Sequence, residues 1–397
     1  VGAGQAALLL LLPWGVLLGG TVALPVENAV KRHYYNEAKA LLRKNPHLIK
    51  VGITGSYGKT SCKVILGALL QEKYKTLITP ESYNTPMGVT RCVREQWMDD
   101  IEVFVAEMGA RHVGDIAEMC DLVGPTTGIL TSVGPQHLET FHTLERVAAT
   151  KYELIQALPP EGWAFFPADN DLCLELYQKT GREHKALFGF DGHGHALYMQ
   201  ASGVQLTPEG CAFTLTNGAG QAVACKTQLL GKHNIQNIAG CAAVAHSLGL
   251  TMEEIARGIG KLQAVPHRLQ MLPTGNGVTV IDDAFNSNPA GARAALEVIG
   301  TFPGRKIIVT PGLVELGERE AAENRAFGGE MAKVVDIAIL VARNGEAMRE
   351  GMVAAGFEAD NIILTRTLAQ ASAALGHLTQ LGDVVLFEND LPDHYEL

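Results

Sequence analysis

The most informative stretch of this chain is Gly52-Ile-Thr-Gly-Ser-Tyr-Gly-Lys-Thr60, which overlaps the end of the apolar run Leu48 to Ile53. The run predicts a buried strand that turns through a glycine-rich loop into a helix beginning near Thr60. Such a loop directs backbone N–H groups and a helix N-terminus at one point, which suits a polyphosphate. In loops of this kind the lysine, here Lys59, reaches the terminal phosphates, and the threonine hydroxyl ligates Mg²⁺. We therefore predict an ATP site at Gly55, Ser56, Gly58, Lys59, Thr60 and Ser61.

Composition excludes several classes of protein. At 397 residues the chain is long enough for two or three domains with well-formed cores. Its net charge of -10 and the lack of any basic block argue against nucleic acid as the main partner. The seven cysteines include no C-x-x-C pair, so neither a disulfide framework nor a cysteine zinc site is predicted. The globular part fits a reducing cytosol.

The N-terminal segment has a different character. No charge occurs before Glu27, and Ala6 to Val26 is almost wholly apolar, which is about the length that crosses a bilayer. A cleaved signal peptide is the alternative, but it has a basic start and a shorter apolar core. Positive charges follow from Lys31 onward, which predicts an anchor whose following domain lies at the cytoplasmic face of the plasma membrane. The chain begins at Val1 rather than Met, which favours a fragment with further spans.

The fold class predicted for the rest is α/β. Strand and helix patterns alternate after residue 48, which argues for a mostly parallel sheet. The stretch from Ala201 to Gln228 instead predicts small antiparallel strands, and a second alternating series begins near Val278. A hinge is predicted at Gln263 to Arg268. The predicted domains are 1–47, a membrane-spanning helix and linker; 48–265, a central ATP-binding domain; and 266–397, a Rossmann-like α/β domain.

A second group of polar residues follows the phosphate loop. Glu107 closes an apolar strand, and a carboxylate in that position points into the crevice where parallel sheets bind ligands. His137 and Glu139 follow the next strand, and Lys151 lies on the helix that begins near Leu144. Taken alone, a histidine is more often a structural hydrogen-bonding group, and a lysine on a helix is usually solvated. Together they predict a Mg²⁺ site with hard oxygen ligands and one imidazole.

Further motifs recur in order along the chain. They are Thr54-Gly-Ser-Tyr-Gly-Lys-Thr-Ser61, Glu107-Met-Gly-Ala110, His137-Leu-Glu139 with Lys151-Tyr-Glu-Leu154, Lys232-His-Asn-Ile-Gln-Asn237, His267-Arg268, Asp282-Asp-Ala-Phe-Asn-Ser-Asn-Pro289 and Gly312-Leu-Val-Glu-Leu-Gly317. This series, from roughly Val51 to Asp390, resembles the Mur ligases, a family of ATP-dependent amide-forming enzymes of peptidoglycan synthesis. The last two motifs resemble the branch that adds D-alanyl-D-alanine.

The resemblance implies a reaction and its cofactors, ATP and Mg²⁺. A substrate carboxylate attacks the γ-phosphate of ATP to give an acyl phosphate, whose acyl carbon is then attacked by the incoming amine. Two Mg²⁺ ions stabilise the phosphoryl charge. By resemblance, Thr60 and Glu107 hold the first ion, and His137 helps to hold the second. Lys151 matches a lysine that CO₂ converts into an anionic metal ligand by carbamylation.

The remaining matches have implied roles around the nucleotide. Asn234 and Asn237 match asparagines near the adenine, although helix capping would equally explain them. Arg268 matches the arginine that reaches the γ-phosphate when the last domain closes, and Asp283 matches an acid that contacts the ribose.

The incoming amino substrate is expected near a third set of residues. Asn286 and Asn288 belong to the loop that follows Asp283, and Asn288-Pro289 is equally an ordinary helix start. Glu315 and Glu318 lie where similar enzymes meet the incoming amine.

Three features depart from the family pattern. Only about fifty residues precede the phosphate loop, where family members carry a domain that binds the UDP-linked precursor. Phe387-Glu-Asn-Asp-Leu-Pro392 replaces a C-terminal Lys-Gly-Ser pattern, and Tyr57 and the segment Tyr83 to Pro86 also differ. We therefore expect the anchor to present the ligase to a lipid-linked muropeptide, or to a precursor that a partner delivers.

Alternatives of other classes remain open. A non-catalytic ATP-binding subunit of a cell-wall complex would not need Glu107, His137 and Lys151 together. A transport or signalling ATPase would not need Arg268, Asp283 and a closing domain. Among enzymes, folylpolyglutamate and cyanophycin synthetases are the alternative branches. The sequence does not predict the oligomeric state.

Overall fold

The computed structural model describes residues 3–136, 138–272, 274–275, 277–285 and 288–390, without the side chains of residues 3–22 and of Leu138. Within these residues the chain forms two sheets with helices packed on their faces. The α/β class predicted from the alternating pattern is thus confirmed.

The first sheet contains β1 (Ile49–Thr54), β2 (Thr76–Ile78), β3 (Val103–Glu107), β4 (Thr127–Leu130), β5 (Trp163–Pro167), β6 (Lys185–Gly189), β7 (Met199–Thr207), β8 (Gly210–Asn217) and β9 (Ala222–Thr227). The second contains β10 (Gln270–Leu272), β11 (Thr279–Asp283), β12 (Lys306–Thr310), β13 (Ile337–Val341), β14 (Ile362–Thr365) and β15 (Val384–Glu388). The helices are α1 (Ala3–Lys44), α2 (Lys59–Leu70), α3 (Pro86–Gln96), α4 (Asp115–Val123), α5 (Leu138–Phe141), α6 (Leu144–Ala157), α7 (Asp171–Lys179), α8 (Lys232–Ser247), α9 (Met252–Gly260), α10 (Pro289–Gly300), α11 (Glu320–Met331), α12 (Gly345–Ala354) and α13 (Leu368–Leu378).

The first sheet has nine strands in the order β2-β3-β1-β4-β5-β6-β7-β8-β9. Its strands are parallel from β2 to β7, and β8 and β9 then pair antiparallel. The antiparallel strands predicted near residues 201–228 are therefore present, and they extend the same sheet. Ile53 of β1 pairs with Glu107 of β3, so the polar residues that follow the central strands meet at one edge.

The central strands are apolar because the sheet is covered on both faces. In β3, Val103 and Val105 point to one core with α2, α8 and α9, whereas Phe104 and Ala106 point to the other with α1, α3, α4, α6 and α7. This two-sided burial holds the strands rigidly, so their carboxyl ends can position functional groups.

The second sheet has six strands in the order β10-β11-β15-β12-β13-β14. Only its edge strand β10 is antiparallel among the described pairs. Asp283 of β11 pairs in register with Glu388 of β15, so two acidic residues end neighbouring strands. The predicted hinge, Gln263 to Arg268, lies between α9 and β10. The domain limits at 47/48 and 265/266 stay predictions.

Helix α1 is continuous where the sequence suggested a span and a separate linker helix. Its C-terminal part packs into the central domain, since Ala38 and Leu42 are buried in the core. Asp121 of α4 accepts hydrogen bonds from Lys39 Nζ (2.6 Å) and Tyr35 Oη (3.0 Å). Part of the segment assigned to the linker is thus fixed to the central domain.

The predicted membrane-spanning helix is not supported. In the part of the chain that the structure describes, no helix has the length and apolarity needed to cross a bilayer. Most of the predicted span, Ala6 to Val26, falls on residues whose side chains lie outside the described set.

Leu42→Ala tests whether α1 belongs to the core of the central domain. Leu42 is 0 % exposed, and truncating a buried leucine costs about 2–5 kcal/mol through lost burial and the cavity left behind. We expect a clearly lower unfolding midpoint by chemical denaturation. Val30→Ala, on the same helix at a residue 47 % exposed, is the control and should change little. Equal small effects of both substitutions would contradict the packing.

Candidate active site

The phosphate loop has the backbone geometry of an anion-binding turn. It leaves β1 at Thr54 and enters α2 at Lys59. Gly58, with φ 80°, is the N-cap of α2, and no side chain caps the helix. Because the first N–H groups of a helix have no intrahelical partners, the first turn of α2 presents free donors to the cleft.

The two glycines of the loop are required by close contacts. A Cβ atom on Gly55 would lie 2.0 Å from Thr131 Oγ1 at the end of β4. A Cβ atom on Gly58 would lie 2.8 Å from Asn237 Oδ1 on α8, and the positive φ of Gly58 also disfavours a side chain. The loop can therefore sit against β4 and α8 only if both positions lack side chains.

Lys59 folds back over the loop. Its Nζ donates to the carbonyl oxygens of Gly55 (2.7 Å) and Ser56 (3.2 Å). Burial lowers the pKa of Lys59 to about 8, with Glu107 raising it and Arg268 lowering it by smaller amounts. A polyphosphate in the loop would favour the charged ammonium, because a nearby opposite charge raises the pKa of a lysine.

Tyr57, a departure from the family pattern, ties the loop to the segment after β4. Its hydroxyl donates to the carbonyl of Pro135 (2.5 Å), and its ring lies where a Cβ on Gly134 would come within 2.8 Å. Ser56 makes a second tie, since its hydroxyl donates to the Gly134 carbonyl (3.0 Å). These contacts fix the segment that leads to His137, which itself lies outside the described residues.

Thr60 and Glu107 converge at the end of the central strands. Thr60 Oγ1 donates to Glu107 Oε1 (3.1 Å), and Asn84 Nδ2 donates to the same oxygen (3.3 Å). The backbone N–H of Glu107 donates to Thr79 Oγ1 (3.2 Å). A hydroxyl and a carboxylate oxygen are the hard ligands that Mg²⁺ prefers, and its remaining positions are commonly filled by phosphates and water. The pair fits a nucleotide-bound magnesium ion.

A metal site made by side chains alone is not found. Among the residues that the structure describes, no three His, Cys, Asp or Glu side chains form a group that could hold a metal ion. Of the four predicted metal ligands, the structure describes Thr60, Glu107 and Lys151, whereas His137 lies outside the described residues.

Lys151 is a buried lysine on α6, 1 % exposed. Its pKa is lowered to about 7, mainly by burial and to a smaller extent by the charge of Lys59, while Asp115 and Glu153 raise it. The carboxylate of Glu153, two residues on, accepts from the backbone N–H groups of Gly114 and Ala117 (both 2.9 Å), which fixes α6 to the start of α4. A substantial fraction of Lys151 is therefore neutral at neutral pH.

The two asparagines of α8 differ in position. Asn237 lines the cleft, and its Oδ1 lies 3.4 Å from Cys62 Sγ. Asn234 is buried, and its Nδ2 donates to the Leu230 carbonyl (2.9 Å). This hydrogen bond ties the start of α8 to the preceding loop and gives Asn234 a structural role. His233 also lines the cleft, and its buried Nδ1 has no hydrogen-bond partner within the described residues. Burial lowers the pKa of His233 to about 4.

Arg268 reaches the cleft from the hinge. Its guanidinium stacks on the ring of Phe285, 4.2 Å from the ring centroid, and burial lowers its pKa. The residues on either side, His267 (φ 59°) and Leu269 (φ 49°), both have left-handed backbone conformations, which are unfavourable for residues with side chains. The backbone N–H of Leu269 donates to Asp283 Oδ1 (3.1 Å), so the hinge is bonded to the second sheet.

Asp283 and the buried Glu388 form a pair of carboxylates at the ends of neighbouring strands. The pKa of Asp283 is raised to about 7, mainly by desolvation and to a smaller extent by Glu388. Glu388 is fully buried and accepts from Thr310 Oγ1 (2.8 Å). Glu388 lies in the segment that replaces the Lys-Gly-Ser pattern, where Asn389 takes a left-handed conformation (φ 64°) that asparagine tolerates.

The cleft has a volume of about 660 Å³ and is lined from both domains. Gly55 does not line it, whereas Ser56, Gly58, Lys59, Thr60 and Ser61 do. Glu315 and Asn288 line its far side, and Asn288 Oδ1 also caps α10 by accepting from Ala290 and Gly291 (3.1 and 2.9 Å). Asn286 lies outside the described residues.

Sequence reasoning missed two residues of this region, Lys63 and His233. Lys63 forms a buried ion pair with Glu107 (3.0 Å). The only signal for it was a lysine one helical turn after Lys59, a spacing that reads equally as a solvated side chain. His233 stood inside a recognised motif, but a single histidine carries little information by itself.

A phosphate loop in one mostly parallel sheet, facing a second mostly parallel sheet across a cleft, is an arrangement typical of nucleotide-binding α/β proteins. Residues 53–245 match the Mur ligase middle domain, and residues 267–388 match the Mur ligase glutamate ligase domain. The UDP-N-acetylmuramoyl-tripeptide–D-alanyl-D-alanine ligase of Escherichia coli is 32% identical over 304 residues, which are 76% of this chain and 66% of that protein.

Two further relatives support the same family assignment. The enzyme of the same name from Mycobacterium leprae is 30% identical over 368 residues, 85% of this chain and 70% of that protein. The MurF ligase of Thermotoga maritima, solved in complex with ADP, superposes with a TM-score of 0.79 at 26% identity, covering 91% of this chain and 80% of that one. The chain belongs to the Mur ligase family. It spans about two thirds of the length of these curated relatives.

Asp283→Asn tests the raised pKa of Asp283 through the pH dependence of the stability of the fold. A carboxyl whose pKa rises from 3.8 to about 7 on folding binds its proton more tightly in the folded state. The fold therefore loses stability as pH rises from about 4 to 7, and the loss is complete above pH 7. Asparagine removes this loss, so the gain in unfolding temperature over the wild type should be larger at pH 8 than at pH 5.

The measurement is thermal unfolding of the nucleotide-free protein at several pH values. Asp360→Asn, at an exposed aspartate, controls for the change in net charge. A gain that is the same at pH 5 and pH 8 would contradict the raised pKa.

Proposed function

We propose that this chain is an ATP-dependent ligase of peptidoglycan precursor synthesis, which activates a carboxylate as an acyl phosphate and joins it to D-alanyl-D-alanine or a similar amine. The proposal rests mainly on one observation, which is that residues from both sheets line the same cleft. Lys59, Thr60 and Glu107 enter it from the first sheet, and Arg268, Asp283 and Glu315 from the hinge and the second. A protein that only hydrolyses ATP has no need of the second set.

ATP is the proposed phosphoryl donor, held with its phosphates in the loop. Thr60 Oγ1 and Glu107 Oε1 would hold a magnesium ion there, and such an ion neutralises charge on phosphate oxygens. The free N–H groups at the start of α2, together with Lys59, bind and orient the polyphosphate. The ADP named in the solved Thermotoga relative is consistent with this assignment.

Lys151 is proposed to act in its carbamylated form. Carbamylation requires the neutral amine, because the nitrogen lone pair must attack CO₂. The pKa of about 7 that burial gives Lys151 makes this amine available at neutral pH, whereas an exposed lysine would be almost wholly protonated. The product is an anion, which would suit a second magnesium ion together with His137 better than an ammonium would.

Arg268 is proposed to contact the γ-phosphate when the C-terminal domain closes. It lines the same cleft as Lys59, and its position within the hinge couples its side chain to the orientation of the second sheet. The substrate carboxylate displaces ADP from the γ-phosphorus, and the amine then displaces phosphate from the acyl carbon and loses a proton. Asp283 and Asn237 are proposed to contact the nucleoside, and Glu315, Asn288 and Asn286 the amine.

The carboxylate acceptor is proposed from the relatives. Their names specify UDP-N-acetylmuramoyl-tripeptide and D-alanyl-D-alanine as substrates. A lipid-linked muropeptide is the alternative acceptor, and an amine of the folylpolyglutamate or cyanophycin type is the alternative incoming group. The predicted location at the cytoplasmic face of a membrane has no support in the described residues and does not enter the proposal.

Release of phosphate from ATP tests the proposed reaction. We expect release to require Mg²⁺, UDP-N-acetylmuramoyl-tripeptide and D-alanyl-D-alanine together, and mass spectrometry to detect the pentapeptide product. Lys59→Ala should lower the rate at least about 10²-fold, because it removes a preorganised charge from the phosphates. Lys333→Ala, at an exposed lysine of the second domain, is the matched control.

Three results would separate the alternatives. Release without any carboxylate would favour a simple ATPase. Nucleotide binding without turnover on any acceptor would favour a non-catalytic subunit. Turnover with a lipid-linked muropeptide but not with the UDP-linked precursor would support the ligase reaction with a different acceptor.

Removal of CO₂ tests the role of Lys151. Protein held in CO₂-free buffer should lose activity. Dissolved CO₂, held at the same concentration at both pH values, should restore activity faster at pH 8 than at pH 6, because protonation of Lys151 below its pKa of about 7 blocks carbamylation. Lys151→Ala should be inactive in both buffers. Activity of the wild type that ignores CO₂ at both pH values would exclude the carbamate.

A further inference from the structure

Lys63 is a buried charge that the proposed reaction does not use. It lies on α2 one turn after Lys59, and its side chain is 1 % exposed. It does not line the cleft. A fully buried lysine is rare unless it is paired, because removing an ammonium group from water is costly. Because this burial is costly and lies beside the phosphate loop, we looked for a role of Lys63 at the site.

Two contacts define the environment of Lys63. Its Nζ lies 3.0 Å from Glu107 Oε2, and that carboxylate is likewise 1 % exposed. The same Nζ donates to the carbonyl oxygen of Glu81. Glu81 has a left-handed backbone (φ 39°), so its loop is held in a conformation that residues with side chains seldom adopt.

The two oxygens of Glu107 are thereby divided between different partners. Oε1 accepts from Thr60 Oγ1 and Asn84 Nδ2 (3.1 and 3.3 Å), on the side of the phosphate loop. Oε2 faces Lys63 in the interior. A metal ion held by Thr60 Oγ1 would take Oε1 as its second ligand, the oxygen that is not part of the ion pair.

The loop that Lys63 contacts also forms a wall of the cleft. Ser82, Asn84 and Thr85 line the cleft within four residues of Glu81. Asn84 is bound from two sides, since its carbonyl accepts from the Gly109 N–H (2.8 Å) and its amide donates to Glu107. Lys63 and Asn84 thus join the same loop to the same carboxylate.

We propose that Lys63 is a positioning residue that fixes Glu107 so that a single oxygen, Oε1, is presented to the nucleotide-bound magnesium ion, and that holds loop 79–85 against the metal ligand. The inference rests on the proposed function, in which Thr60 and Glu107 hold that ion. A lysine suits this place because its compact ammonium can carry the counter-charge of Glu107 Oε2 while it donates a hydrogen bond to the Glu81 carbonyl.

The test is the effect of Mg²⁺ on ADP affinity, measured by titration calorimetry with MgCl₂ or with EDTA. In the wild type, Mg²⁺ should tighten ADP binding. In Lys63→Met, the factor by which Mg²⁺ tightens ADP binding should be smaller than in the wild type by about tenfold or more. The ADP affinity of this variant in EDTA should stay within about threefold of the wild type. Lys185→Met is the control, since Lys185 donates to two carbonyls, of Tyr177 and Thr180, outside the cleft.

A double-mutant cycle separates positioning from a structural role. Glu107→Gln alone should lose the Mg²⁺ gain, and Lys63→Met combined with Glu107→Gln should lose no more than Glu107→Gln does. The double variant also removes both buried charges, so it guards against failure of the single variant to fold. Additive losses, or equal weakening in EDTA, would assign Lys63 a structural role and overturn the inference.

The remaining outcomes distinguish this inference from the proposed function. If Mg²⁺ does not affect ADP binding in the wild type, the metal role of Glu107 and the inference both fail. If Glu107→Gln loses the gain and Lys63→Met keeps it, only the inference fails. Hydrogen exchange gives a second readout, because Lys63→Met should speed exchange in residues 79–85 and Lys185→Met should not. Unchanged exchange would refute the link to the loop.

Discussion

The close approach of the phosphate loop to β4 and α8 is the constraint on which the cleft depends. Gly55 leaves no room for a side chain beside Thr131, and Gly58 leaves none beside Asn237. The loop backbone is tied to the same region by Ser56 N–H, which donates to the Ser132 carbonyl (2.8 Å). Because β4 and α8 are distant in sequence, the loop takes its shape only when the central domain has folded as a whole.

Three ionisable groups in or near the cleft have strongly shifted pKa values, namely Lys59, Lys151 and Asp283. Burial disfavours the charged forms of Lys59 and Lys151, and it disfavours the carboxylate of Asp283. Perturbed groups of this kind cluster at functional sites because the field that shifts them also acts on a substrate. Beside these groups, Lys63 and Glu107 form a buried ion pair of 3.0 Å, in which Glu107 lines the cleft and Lys63 lies behind it.

The sequence predicted the α/β class and the order of strands and helices well, because apolar runs and glycine turns are local signals. It also predicted the loop that joins β1 to α2 with Lys59 and Thr60 at its end, and it placed Glu107 at the end of a strand. It could not predict the partner of Lys63, since that contact joins α2 to β3 and depends on side-chain packing. It separated the N-terminal segment from the central domain, because the pairing of Asp121 with Lys39 involves residues that are 82 positions apart.

The left-handed conformations of His267 and Leu269 have a thermodynamic consequence for the hinge. Each costs on the order of 1–3 kcal/mol, so the linker is under torsional stress on both sides of Arg268. Release of this strain would reorient the backbone on either side of Arg268 and so move its guanidinium group. With the proposed contact of Arg268 to the γ-phosphate, the orientation of the second sheet and the occupancy of the nucleotide site would form one linked equilibrium. Part of the energy of nucleotide binding would then be stored in or released from the backbone of the linker.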